Sequence, residues 1–125
     1  MARRRILAGE LTGHDEPDWE PLLALMAPEL VGWFMWMFPI TLSDGTRVEA
    51  YKHRWTRRYL YLDADLRAWG YRQDERYDLQ RSVADMLEQV LAPWWLNGHA
   101  EPDEVLLCWE AIERARRLDA ARGHA

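Results

Sequence analysis

The stretch KHRWTRRYLY, residues 52–61, interleaves positively charged and aromatic side chains, which is the chemistry of a nucleic-acid surface. Aromatic rings stack with unpaired bases, and arginine and lysine bind phosphate. The candidate residues for such a surface are Lys52, Arg54, Trp55, Arg57, Arg58 and Tyr59. The solvated face of an ordinary sheet also carries Arg and Tyr, and the formal net charge of −5 opposes nonspecific attraction to nucleic acid. Nucleic-acid binding is therefore the second hypothesis for function.

His53 is the best candidate for a general base, because Arg54, Arg57 and Arg58 surround it in the sequence. Nearby cations lower a histidine pKa and keep the ring neutral, as a base requires. The only two serines fall in a predicted turn and early in a predicted helix, so no nucleophile accompanies this histidine. The sequence favours a protein without catalytic activity, and we predict no catalytic residues.

Metal and redox chemistry have little support in the sequence. The four histidines lack a short ligand spacing such as H-x-x-x-H, and Cys108, the single cysteine, has no cysteine partner. Leucines and a tryptophan flank Cys108 in a predicted helix, an apolar setting that raises a thiol pKa and makes the group inert. We predict no metal and no cofactor.

The same cysteine count bears on the compartment. One cysteine cannot form an internal disulfide, and the first residues lack the long apolar stretch of a secretory signal, so we expect a cytoplasmic protein. The longest apolar run, Leu30 to Leu42, covers 13 residues. A membrane-spanning helix needs about 20. We therefore expect no membrane span.

Residues 33–38, WFMWMF, place six large apolar side chains in succession. If they form a strand, alternate side chains point to opposite faces. One face would then carry Phe34, Trp36, Phe38, Ile40 and Leu42, and the other Trp33, Met35 and Met37. Both faces are apolar, so this strand requires cover on both sides.

That cover has two sources. Leaving three large apolar side chains in water would forfeit about 5 kcal/mol, which is comparable to the whole stability of a small domain, roughly 5 to 15 kcal/mol. Trp94, Trp95 and Trp109 could fold back to complete a monomeric core, or a second copy or another protein could cover the strand. Pro39 favours an edge strand, which is exposed to such partners. The candidate interface residues are Trp33, Met35, Trp36, Met37 and Phe38.

The first half of the chain predicts a helix followed by a hairpin. Acidic residues and a proline near its start predict a helix over residues 18–27, which Pro28 ends. The sequence SDGT then predicts a hairpin turn, and a three-residue turn with a bulge at Gly45 is preferred to a two-residue turn, which would set Glu49 against Ile40. The three-residue turn pairs Val48 with Ile40 and Ala50 with Phe38.

The second half predicts another hairpin and two helices. Asp63 to Asp65 form the hairpin turn, and residues 54–56 lack Gly, Pro and Asn, so the two preceding strands could be one bent strand. A charged loop, QDERYD, precedes a helix with Asp78 as N-cap that stops before Pro93. The last helix starts near Pro102.

These elements predict a single α+β domain over residues 1–125, with a flexible N-terminal arm at 1–12 and a frayed tail at 120–125. The predicted fold is an antiparallel meander sheet of three or four strands packed with three helices, in the order α-β-β-(β)-β-α-α. The first hypothesis for function is a non-enzymatic protein-interaction module, as an adaptor, inhibitor, immunity-type or regulatory subunit, self-associated or bound to another protein. A small-molecule-binding domain is the third hypothesis.

Overall fold

A computed structural model describes residues 2–4, 16–72, 74, 76–79 and 82–123 of the chain. The strands are β1 (Ala2–Arg4), β2 (Phe34–Thr41), β3 (Arg47–His53), β4 (Tyr59–Asp63), β5 (Ala68–Arg72) and β6 (Arg76–Leu79). The helices are α1 (Glu20–Leu25), α2 (Pro28–Val31), α3 (Val83–Leu96) and α4 (Pro102–Ala121).

The predicted α+β class and antiparallel meander are confirmed, but the sheet is larger than predicted. It has six antiparallel strands in the order β1-β6-β5-β4-β3-β2. β6 occupies much of the predicted charged loop, where the ion pair between Arg72 and Asp78 joins neighbouring strands at 2.8 Å. β1 falls inside the predicted N-terminal arm, whose other residues lie outside the described ones.

The alternative of one bent strand through residues 54–56 is wrong. His53 N donates to the Arg58 carbonyl at 2.9 Å, and Arg57 N donates to the His53 carbonyl at 2.9 Å. These bonds close a four-residue loop whose last residue, Arg57, has φ +63°. Arg57 thus adopts the left-handed conformation for which glycine is the usual residue.

The helix limits differ from prediction at several points. The predicted helix over residues 18–27 is limited to α1, Glu20–Leu25, and Pro28 starts the separate one-turn helix α2. Asp78 is not the N-cap of α3, because it lies in β6; Ser82 is the cap, and its Oγ accepts a hydrogen bond from Asp85 N at 3.0 Å. The predicted start of the last helix at Pro102 is confirmed, and helical residues continue into the predicted frayed tail as far as Ala121.

Pro93 lies inside α3, so the prediction that the helix stops before it is wrong. A proline has no N–H, and it therefore leaves the carbonyl four residues earlier without its helical donor. That carbonyl belongs to Gln89, and Arg58 Nη1 donates to it at 3.1 Å. The β3–β4 turn thus supplies the hydrogen bond that Pro93 cannot make.

The predicted register of the first hairpin is confirmed, whereas the predicted division of β2 into two faces is wrong after Trp36. Ile40 pairs with Val48 and Phe38 with Ala50, but a bulge at Met37 interrupts the ladder. One extra residue moves every later side chain to the other face. Trp36 accordingly packs against the helices, and Phe38 packs on the opposite face.

Two apolar clusters bury the faces of the sheet. The larger cluster joins all four helices to side chains of β2 to β5, including Phe34, Tyr51 and Leu62. The smaller cluster lies on the other face and includes Ile40, Val48 and Trp69, all closed to solvent. The buried state of β2 side chains on both faces removes the premise that a partner protein is needed to cover this strand.

Candidate protein interface

The β3–β4 turn carries most of the candidate nucleic-acid residues, and the fold already uses several of their donors. Arg54 N donates to the Trp33 carbonyl at 2.8 Å, and Arg54 Nε donates to the Gly32 carbonyl at 3.1 Å. Arg58 binds α3 through Gln89. These two arginines therefore fasten the turn to the helical layer while their side chains stay at the surface.

The remaining candidates of this set lie around the same turn. Lys52 Nζ sits 5.4 Å from the ring centroid of Tyr59, in a cation–π contact. Trp55 is 37% exposed and stacks on His99 with centroids 4.3 Å apart. Arg57 is exposed at the tip of the turn, and its side chain makes no hydrogen bond or ion pair with another described residue. The structure thus brings the predicted residues together as a basic turn, residues 54–58, flanked by Lys52 and Tyr59.

His53, the candidate general base, is 0% exposed at the end of β3. Its Nδ1 accepts hydrogen bonds from Trp55 N at 3.2 Å and from Thr56 N at 3.1 Å, so the ring proton resides on Nε2. Burial lowers the pKa of His53 to about 4, and this cause replaces the predicted effect of the neighbouring arginines. The ring packs beside Trp33 and Trp94 and is closed to solvent.

The five candidate interface residues of the aromatic strand do not form one continuous surface. Trp33 and Trp36 are half-buried on the helical side, where each indole N–H donates to a carboxylate: Trp33 to Glu104 at 2.7 Å and Trp36 to Glu49 at 2.8 Å. Met37, the bulge residue, is 37% exposed. Met35 and Phe38 are half-buried. β2 is the edge strand that Pro39 predicted, and the bulge and the proline together discourage pairing with a further strand.

Three buried carboxylates have structural roles, and the sequence singled out only Asp63 among them. Glu49 binds Arg47 at 2.5 Å and Trp36, and Asp119 accepts hydrogen bonds from Val83 N and Ala84 N, both at 3.0 Å, at the start of α3. Asp63 is buried in the β4–β5 turn, as its predicted role of turn former requires. Each accepts hydrogen bonds from nearby donors, which compensates the burial of its charge.

A surface groove of about 420 Å³ separates α2 from the first turns of α4. Its lining residues are Glu29, Leu30, Trp33, Asp103, Glu104, Leu106, Leu107 and Glu110, and we call this site the acidic groove. Four of the eight are acids, and none is a base. The other four are apolar, and Leu106 is 65% exposed.

The acids of the groove differ in how they are engaged. Glu104 caps α4, because its Oε1 accepts from Glu101 N at 2.8 Å, and its Oε2 holds the Trp33 indole. Glu29, Asp103 and Glu110 are exposed and have no ion pair or hydrogen bond with another described side chain. Three uncompensated carboxylates therefore surround an apolar floor whose tryptophan is fixed in place.

Sequence reasoning missed the acidic groove, apart from Trp33. One signal did point toward it: residues 82–104 carry five acids and no base. Glu29 lies in another such stretch, residues 10–45 with seven acids and no base, but only the packing of α2 on α4 brings it to the site.

The described residues contain no group of three His, Cys, Asp or Glu side chains that could hold a metal ion. Within the same part of the chain, no helix is both long enough and apolar enough to cross a bilayer. Comparisons with models of protein families, with curated proteins and with solved structures found no match. Function is therefore inferred from the residues and geometry of the sites described above.

Proposed function

We propose that this protein is a non-catalytic protein-interaction module that binds a positively charged protein segment in the acidic groove. The observation that carries the proposal is the combination of uncompensated Glu29, Asp103 and Glu110 with the exposed apolar side chain of Leu106 in one groove. Opposite charge would steer and orient the partner, and burial of the apolar floor would supply affinity.

A protein segment fits this groove better than a metal ion or a phosphate-bearing ligand. Apolar side chains make up half of the lining, which a bare cation would not need. The carboxylates repel phosphate, so nucleic acid is disfavoured at this site. A peptide with basic and apolar side chains in alternation matches both parts of the lining.

The proposal keeps the class of function that the aromatic strand suggested and moves the interface to a different surface. Trp33 belongs both to the candidate interface of the aromatic strand and to the acidic groove, since it immediately precedes β2 and lines the groove. The protein would act as an adaptor, inhibitor, immunity-type or regulatory subunit. A cytoplasmic location accords with Cys108, the single cysteine, which is free and buried, and whose pKa burial raises to about 12.

Calorimetric titration with a synthetic peptide tests the proposal. The probe is an amphipathic helical peptide of leucine and arginine, and its counterpart carries glutamate at the arginine positions. We expect the arginine peptide to bind at low ionic strength, more weakly at high salt, and the glutamate peptide not to bind. Equal binding of both peptides, or binding of neither, would contradict the proposal.

Two matched pairs of variants locate the binding. Glu110→Arg should weaken the arginine peptide about tenfold or more, whereas Glu113→Arg makes the same change in net charge outside the groove and should have little effect. Leu106→Ser should also weaken binding, and Leu96→Ser is its control, because Leu96 is 75% exposed but does not line the groove. Equal losses within either pair would place the binding elsewhere.

A further inference from the structure

We infer that the segment bound by the acidic groove is the basic turn of a second copy of this chain, in a two-fold dimer where each copy supplies one turn and one groove. The inference rests on the proposed function and names its partner. Three features carry it: opposite charge, adjacency of the two sites, and the absence of neutralisation within one chain.

The basic turn and the acidic groove adjoin each other on one molecule. Arg54 N binds the carbonyl of Trp33, which lines the groove. On the other side of the turn, Trp55 stacks on His99, four residues before Asp103 in the chain. Both contacts connect the turn directly to residues of the groove or of the loop that leads into it.

Neither site neutralises the other within one chain. No ion pair among the described residues joins an arginine of the turn to Glu29, Asp103 or Glu110. The side chains of Arg54 and Arg58 donate to backbone carbonyls, and the Arg57 guanidinium has no hydrogen-bond or ion-pair partner within the described parts of the chain. Each site therefore presents its charge outward, toward a neighbouring molecule.

Adjacent patches of opposite charge are self-complementary under a two-fold rotation. Placing the axis between them sets the turn of each copy on the groove of the other, so two identical contacts form at once. Trp55 would cover apolar floor while Arg57 meets the carboxylates. With a net charge of −5 on each chain, this local pairing also offsets the repulsion between copies.

Charge reversal in two separate chains tests the dimer, with molar mass measured by sedimentation equilibrium over a range of concentrations. Wild type should dimerise as concentration rises and dissociate at high salt. Arg57→Glu places a carboxylate at the tip of the turn, opposite the acids of the groove, and Glu110→Arg places a cation in the groove, so each variant alone should remain monomeric. An equimolar mixture should recover the dimer, because each mixed contact again joins opposite charges.

Two charge variants outside both sites serve as controls. Arg117→Glu and Glu113→Arg alter exposed charges elsewhere on α4 and should leave the dimer intact. A wild type that stays monomeric, reversed variants that still dimerise, or a mixture that fails to recover would each overturn the second copy as partner.

A monomer that still binds the arginine peptide would retain the proposed function. A monomer that retains a single-stranded oligonucleotide, and loses it on Arg57→Glu, would assign the turn to nucleic acid.

Discussion

The turns of the hairpins β2–β3 and β4–β5 have the same hydrogen-bond pattern, but different residues stabilise them. Leu42 N donates to the Thr46 carbonyl at 2.8 Å, and Asp63 N donates to the Arg67 carbonyl at 3.1 Å, so each encloses a three-residue loop. The last loop residue has positive φ in both. It is Gly45 at +88° in the first hairpin and Leu66 at +61° in the second.

The residue that opens each loop accounts for the difference. Leu42 is apolar and offers no side-chain acceptor, and glycine adopts the left-handed conformation at little cost. Asp63 is buried, and its Oδ1 accepts from Asp65 N and Arg67 N, both at 2.9 Å. A buried acceptor thus holds a turn whose last residue is strained. His53 and Arg57 repeat this arrangement in the β3–β4 turn.

The largest expected effect follows from removing that acceptor. Asp63→Ala would remove the acceptor of two backbone N–H groups and of the Trp69 indole N–H, which donates to Oδ2 at 3.0 Å. Loss of a buried acceptor that serves several donors is costly, and we expect the free energy of unfolding to fall by about 3 kcal/mol or more. Urea denaturation measures the change.

Asp65 is the matched control in the same turn. It pairs with Arg67 at 2.7 Å, but its side chain is 73% exposed. An exposed ion pair contributes roughly 0 to 1 kcal/mol, so Asp65→Ala should have a small effect. If both alanine variants lost similar stability, the buried acceptor would not be what holds this turn.

The three turns also show what a sequence reveals about a fold. SDGT predicted its turn and register because glycine at the positive-φ position is a local signal. Asp63 to Asp65 predicted theirs through side chains that cap a turn locally. The β3–β4 turn gave no such signal, because His53 is an unusual turn acceptor and its role depends on burial by Trp33 and Trp94, both distant in sequence.

The candidate site was less predictable than the fold for a related reason. The basic turn is a continuous stretch, so its residues were identified from sequence. The acidic groove joins α2 to α4, and its shape depends on how two helices pack. Period-two alternation also failed in β2, because a bulge at Met37 leaves no local mark among uniformly apolar residues.

A second prediction concerns acid sensitivity of the turn that His53 holds. The folded-state pKa of His53 is about 4, below the usual value of 6.5, because burial penalises the charged ring. The unfolded chain therefore binds a proton first as pH falls. Stability should be full above pH 6.5 and decline as pH drops toward 4, by about 2 kcal/mol at pH 5 through this residue alone.

The measurement is chemical denaturation at several pH values, with His53→Asn as the comparison. An asparagine amide oxygen can replace Nδ1 as the turn acceptor but does not titrate in this range. The variant should be less stable overall, since it lacks ring packing, and its stability should depend less on pH. Should this variant not fold, an NMR titration of wild type serves instead: a His53 ring that protonates near pH 6.5 in the folded protein refutes the prediction.

The smallest expected effect compares the same glycine–alanine exchange in the two hairpins. Gly45→Ala should lower stability by about 1 kcal/mol, because a Cβ is disfavoured at positive φ even though no atom lies within 4 Å of its position. Leu66→Gly should exceed Leu66→Ala in stability by a similar amount, since both lose the contacts of the leucine beyond its Cβ and alanine keeps the Cβ that is disfavoured at positive φ. Gly32→Ala is the control: at φ −61° with ordinary contacts, it should be neutral or slightly stabilising. A lower stability for Leu66→Gly than for Leu66→Ala would contradict the expected cost of a Cβ at this positive φ.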